Sequence, residues 1–135
     1  MIITIDGTPV AKGRARVTKS GFAYTPAKTK KFEAHGRLAA QLAMEGKEPL
    51  AGPLSVVVSA VLPVPSSWSK KKSADALAGK LRPMTRPDAD NYLKAALDAL
   101  NGIAWRDDSQ VVDCTVKKLY GADPRLEIEI TEIAA

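Results

Sequence analysis

Residues 54–64, "LSVVVSAVLPV", are β-branched and almost unbroken in apolar side chains. A run of this kind is far short of the roughly 20 residues that cross a bilayer, and too rich in Val for a preferred helix. It reads as a strand covered on both faces, which places it centrally and makes a sheet the frame on which the rest must pack. Around it, "IITID" alternates Ile3 and Ile5 with Thr4 and Asp6 before Gly7, a first strand ending in a turn. Near the end, "QVVDCTVKKLY" and "RLEIEITEI" read as two strands joined by "GADP" and able to pair as a hairpin. In the second of them Leu126, Ile128 and Ile130 alternate with Glu127, Glu129 and Thr131.

Two helices complete the pattern. From Pro26 to Gly46, Phe32, Leu38, Ala39, Leu42 and Ala43 recur near helical spacing and predict a buried stripe. From Asp90 to Asn101 the stripe is Leu93, Ala96, Leu97 and Leu100, with Gly102 at the C′ position. Residues 66–86 are polar, lysine-rich and broken by Gly79 and Pro83, and predict a long loop with one short helical turn around residues 74–78. The order strand, helix, strand, loop, helix, strand, strand predicts an α+β fold: a mixed sheet with two main helices, in one domain over residues 1–135. With 45% hydrophobic residues, a chain of 135 has one proper core and no room for two.

Charge is segregated along the chain. Residues 1–86 carry 15 Lys and Arg against 5 Asp and Glu, whereas residues 87–135 carry 5 against 10. A basic part with an acidic patch suits a protein that grips a polyanion and sets a divalent cation where it touches it; uneven surface charge is the plainer alternative. The grip would come from Lys12, Arg14, Arg16 and Lys19, in an acid-free segment that reads as a hairpin or loop turning at Ser20 and Gly21, and from Lys70, Lys71, Lys72 and Arg86. The lone Cys114 cannot form an internal disulfide and reads as a packed thiol. No apolar N-terminal run follows a basic flank, so the expectation is a cytoplasmic protein without a membrane segment.

The chemistry concentrates in "RPDADNYLKAALDAL", where Asp88 and Asp90 stand at the head of the second helix. One of them is accounted for by capping; two carboxylates in close quarters repel unless a cation or a basic side chain lies between them. Lys94, four residues after Asp90, shares its face and could steady charge on a phosphoryl group, or simply pair with Asp98 along the helix. "WRDDSQ" adds Asp107 and Asp108. If Asp108 converges with Asp88 and Asp90, the donors are all hard oxygens, which select Mg²⁺, with Mn²⁺ as a substitute, and suit phosphodiester hydrolysis. His35 has no partner spaced for metal binding and reads as a surface residue. Trp105 is expected to pack beneath the acid pair, while Trp68 could stack on an exposed base or anchor its loop.

Taken together, "RPDADNYLKAALDAL", "WRDDSQVVD", "IDGTPVAKGRARV" and "YTPAKTKKFE" resemble the RusA-like family of Holliday junction resolvases. The resemblance implies that Asp88, Asp90 and Asp108 are metal-binding catalytic acids, Lys94 a supporting lysine and Asp107 next in line. It also implies a small α+β homodimer, whose mixed sheet contributes to the dimer, and which nicks two opposed strands of a four-way DNA junction with Mg²⁺; two symmetric nicks need the two sites of a C2 dimer. The sequence departs from some members in its few early aromatic residues and its long lysine-rich segment 66–86, expected to order on DNA. Two other functions compete: a non-catalytic nucleic-acid-binding protein, and a metal-dependent phosphohydrolase for small phosphoesters.

Overall fold

The computed structural model describes residues 1–12, 16–17, 19–21, 23–24 and 26–134. Four strands, β1 (Ile2–Asp6), β4 (Leu54–Leu62), β5 (Val111–Tyr120) and β6 (Arg125–Glu132), form one sheet in the order β1-β6-β4-β5. The sheet is mixed, as expected: β6 is antiparallel to both β1 and β4, and β4 runs parallel to β5. A short hairpin of β2 (Arg16–Val17) and β3 (Ala23–Tyr24) stands apart, turning through Ser20 and Gly21.

Alternation along the strands decides which face is buried. Ile3 and Ile5 of β1, Leu126, Ile128 and Ile130 of β6, and Leu54, Val56, Val58 and Ala60 of β4 share one face and are buried. Helices α1 (Ala27–Met44) and α3 (Ala89–Leu100) cover that face. The opposite face carries half-exposed Ser55, Val57 and Ser59 beside Glu127 and Glu129. The central strand is therefore covered on one face, not both; its near-continuous apolar character reflects a neighbour on each edge and a half-shielded second face.

Three further expectations are corrected. β5 and β6 do not pair as a hairpin, because β4 lies between them. Residues 121–124 carry the chain across the end of β4, where Gly121 donates to the Leu62 carbonyl at 3.0 Å and a Cβ on it would come within 2.4 Å of Val61 Cγ1. On α1 the fully buried residues are Gly36, Ala40 and Met44, while Leu38 and Leu42 are 55% and 68% exposed. Small residues win that face because α1 approaches so closely that a Cβ at Gly36 would meet Ile5 Cδ1 at 2.8 Å and Ala99 Cβ at 2.9 Å. Cys114 is exposed, since it faces the helix side of the edge strand β5 beyond the cover of the helices.

The lysine-rich segment also holds more helix than one turn: α2 spans Lys70–Leu77, started by Ser69, whose side chain accepts from the Lys72 N–H at 3.2 Å. Lys and Ala are good helix formers once that cap supplies the nucleus. Among the described residues, no helix is long and apolar enough to cross a membrane.

Candidate active site

Helix α3 starts at the predicted place, with Asp88 at the N-cap and Asp90 in the first turn, and Gly102 follows its end at φ +81°. Asp88 occupies the cap position without making the cap hydrogen bond. Neither its carboxylate nor that of Asp90 has a hydrogen bond or ion pair among the described residues, and both are exposed. The carboxylates therefore stand free at the positive end of the helix dipole. Lys118 and Tyr92 fix this head. Lys118 of β5 donates to the carbonyls of Thr85 at 2.8 Å and Pro87 at 2.9 Å, pinning the lead-in to Asp88. Beneath it, Tyr92 is buried, and burial pushes its phenol pKa up.

Lys94 is 57% exposed and its ammonium lies 3.5 Å from Asp98. Asp98 is shared: Lys12 Nζ lies 3.0 Å from it, and the same ammonium lies 3.0 Å from Glu33 of α1. Burial pulls the Lys12 pKa down, but its hydrogen bonds and charge pairing with Asp98 and Glu33 outweigh that and leave it above the ordinary lysine value. Lys12 also donates its backbone N–H to Asn91 at 3.1 Å, and Arg37 Nη1 reaches the Asp98 carbonyl at 3.4 Å. Predicted as a phosphate grip, Lys12 is held as a clamp that ties the N-terminal arm and α1 to α3.

The "WRDDSQ" loop is built as tightly. Trp105 is wholly buried and its Nε1 donates to Asp108 Oδ1 at 2.8 Å, so the indole packs where the sequence placed it and aims one acid. Asp107 is used differently: its side chain accepts from the Ser109 N–H at 2.9 Å and caps the 3-10 turn Asp108–Gln110. The bonds from Ser109 hold its carboxyl below the usual range. Gln110 closes the loop, accepting from the Arg106 and Asp107 N–H groups and donating to the carbonyls of Leu50 and Gly52.

Within one chain these acids fall into two places. Asp88 and Asp90 open α3, whereas Asp108 follows its other end, where Trp105 bridges to Asn101. A helix of 12 residues is about 18 Å long. Among the described residues no three of His, Cys, Asp and Glu are grouped to hold a metal ion. His35 is exposed on α1. Of the predicted grip, Lys19, Lys70, Lys71, Lys72 and Arg86 are exposed, Arg16 lies on β2, and Arg14 lies outside the described residues.

Sequence reasoning missed Lys118 and Gln110. Lys118 had a signal: its register opposite Ala60 puts a lysine on the apolar face of the sheet, where a long cation needs acceptors. Gln110 had one in part: Asp107 and Gln110 stand at the spacing of a capping box, whereas its bonds to the Leu50 and Gly52 carbonyls join residues some sixty positions apart.

The site is thus a helix head with two carboxylates that have no partner among the described residues, on a small α+β domain with exposed lysines. The family profile of endodeoxyribonuclease RusA matches residues 6–131. The chain belongs to the RusA endodeoxyribonuclease family. It is also 43% identical to the uncharacterized protein YqaN of Bacillus subtilis (strain 168), over 98% of this chain and 96% of that protein.

Proposed function

We propose that this protein is a Mg²⁺-dependent, structure-selective endodeoxyribonuclease that resolves four-way DNA junctions by paired, symmetric phosphodiester hydrolysis. The observation that carries the reading is Asp88: an N-cap aspartate that makes no cap bond, exposed beside the equally unpartnered Asp90 in a chain of the RusA family. Capping alone does not account for two such acids. Their exposure favours a macromolecular substrate over a small phosphoester, which is ordinarily enclosed in a pocket.

Among the described residues Asp88 and Asp90 have all their oxygens available and Asp108 keeps one oxygen free of Trp105, so the donor set suits a hard cation. These three would hold Mg²⁺, or Mn²⁺ in its place. When bound, the ion supplies neutralisation of charge at the scissile phosphate. The chain's own residues do the rest. Lys94, kept on the acid face by Asp98, steadies the phosphoryl oxygens; Lys118 fixes the backbone leading into Asp88; and Lys19, Lys70, Lys71, Lys72 and Arg86 hold the DNA backbone.

Because one chain keeps Asp108 away from the helix head, the reading includes a homodimer in which Asp108 of a second copy completes each site. The test is junction nicking by Asp90→Asn, Asp108→Asn and a mixture of the two after subunit exchange. Each variant alone keeps junction binding and loses Mg²⁺-dependent nicking by orders of magnitude. The mixture regains nicking, since one site of each mixed dimer has all its acids. A mixture as dead as its parts would place the acids in a single chain, and a well-folded wild type that binds without nicking would leave a DNA-binding protein only.

A further inference from the structure

Trp68 and Trp105 are the only tryptophans in the chain, and they have opposite surroundings. Trp105 is wholly buried, whereas Trp68 is half-exposed just ahead of α2. The Trp68 indole meets the Tyr120 ring edge-on, with centroids 5.2 Å apart, and the Lys72 ammonium lies over it at 4.0 Å from the ring centre. Lys72 has its backbone N–H fixed by Ser69, but its ammonium has no carboxylate partner among the described residues. The ring is thus held on one side by a packed tyrosine and covered on its face by a long, exposed, movable cation.

The position of this cluster gives it meaning. Tyr120 stands two residues after Lys118 on the same face of β5, about 7 Å along the strand, and Lys118 grips the segment entering Asp88. An aromatic face capped by a cation therefore lies beside the approach to the acid-bearing helix head. An exposed cation–π contact is weak, and stacking of a nucleobase on an indole is stronger. Exchange also frees Lys72 to meet the phosphate of the same nucleotide.

We infer that Trp68 is a stacking platform for one unpaired nucleobase of the DNA, with Lys72 as its removable cover. This rests on the reading of the protein as a nuclease of branched DNA, and it names what that site recognises beyond the backbone: a base displaced from its pair at the branch. The charge of the basic surface selects DNA in general; the platform selects DNA that can release a base.

The experiment is a titration of intrinsic tryptophan fluorescence in EDTA, where no cleavage occurs. The probes are oligothymidylate and a duplex of equal phosphate number. Oligothymidylate quenches the wild type strongly and the duplex much less. Trp68→Phe removes the quench while keeping its thermal transition, and Trp68→Ala weakens oligothymidylate binding by about 5- to 150-fold. Lys72→Gln, which keeps the ring and removes the cover and its phosphate contact, binds oligothymidylate more weakly but reaches the wild-type quench at saturation. Equal quenching by duplex, a quench that survives in Trp68→Phe, or its loss in Lys72→Gln even at saturating oligothymidylate would each overturn the platform. Mg²⁺-dependent nicking, measured separately, judges the nuclease reading: selective quenching without nicking keeps the platform and removes the nuclease.

Discussion

Replacing Trp105 by Phe separates the role of Asp108 as a ligand from its role in the fold. The Nε1 to Oδ1 hydrogen bond is 2.8 Å long, from a fully buried indole to a half-exposed carboxylate. Bonds to charged groups contribute about 1.5–3 kcal/mol, and the exposure of Asp108 argues for the lower part of that range, about 1.5–2. Trimming the buried ring adds about 1 kcal/mol for the space left behind. Trp105→Phe is therefore expected to lose about 2.5–3 kcal/mol, a fall in Tm of roughly 8–15 °C for a domain of this size. Urea unfolding of the wild type, Trp105→Phe, Asp108→Ala and the double variant isolates the bond, with an expected coupling of about 1.5–2 kcal/mol. Asp108→Asn keeps an acceptor for the indole, so it costs less stability than Asp108→Ala while abolishing nicking. Additive single effects, with coupling below about 0.5 kcal/mol, would refute the claim that Trp105 aims Asp108.

Three other outcomes follow from particular contacts. Gly36→Ala gains about 1 kcal/mol of helix propensity but pushes α1 off Ala99 and Ile5, so a net loss of about 1–2 kcal/mol is expected in urea unfolding; a stabilised variant would contradict the close approach. Lys12→Met removes the ammonium shared by Glu33 and Asp98. Because the folded Lys12 pKa is raised, its contribution is complete below the unfolded value near 10.4 and fades as pH rises through the folded one. Urea midpoints of wild type and variant should therefore differ equally at pH 8 and 9.5 and converge above pH 11; a gap that widens there counts against the clamp. Replacing Lys70, Lys71 and Lys72 with Ala should lower the salt slope of junction binding by up to about 3, read from affinities at several salt concentrations, and an unchanged slope removes α2 from the phosphate contacts.

Helix α3 was legible in the sequence because the signals that mark its extent are local, although its lead-in is pinned by the distant Lys118. Apolar residues recur at helical spacing, an aspartate stands at the cap, and Gly102 can take the φ of +81° that ends the helix. The strands were equally legible, since alternation in "RLEIEITEI" is set by the pleat alone. Periodicity fails on α1, where the larger Leu38 and Leu42 look like the buried stripe and the small Gly36 and Ala40 are what the core takes. The choice depends on how near another helix comes, and no residue of α1 states that.

The sequence by itself determined the α+β class and the acid-bearing helix, because propensity and periodicity are carried by neighbouring residues, and it held the motifs whose resemblance pointed to the RusA family. Tertiary structure alone decided the rest. It set β4 between β5 and β6, turned Lys12 from a free cation into a clamp across α1 and α3, and pinned the lead-in to Asp88 with Lys118 of β5. Each of these joins residues far apart in the chain, and burial and hydrogen-bond geometry between distant segments exist only once the sheet has chosen its order.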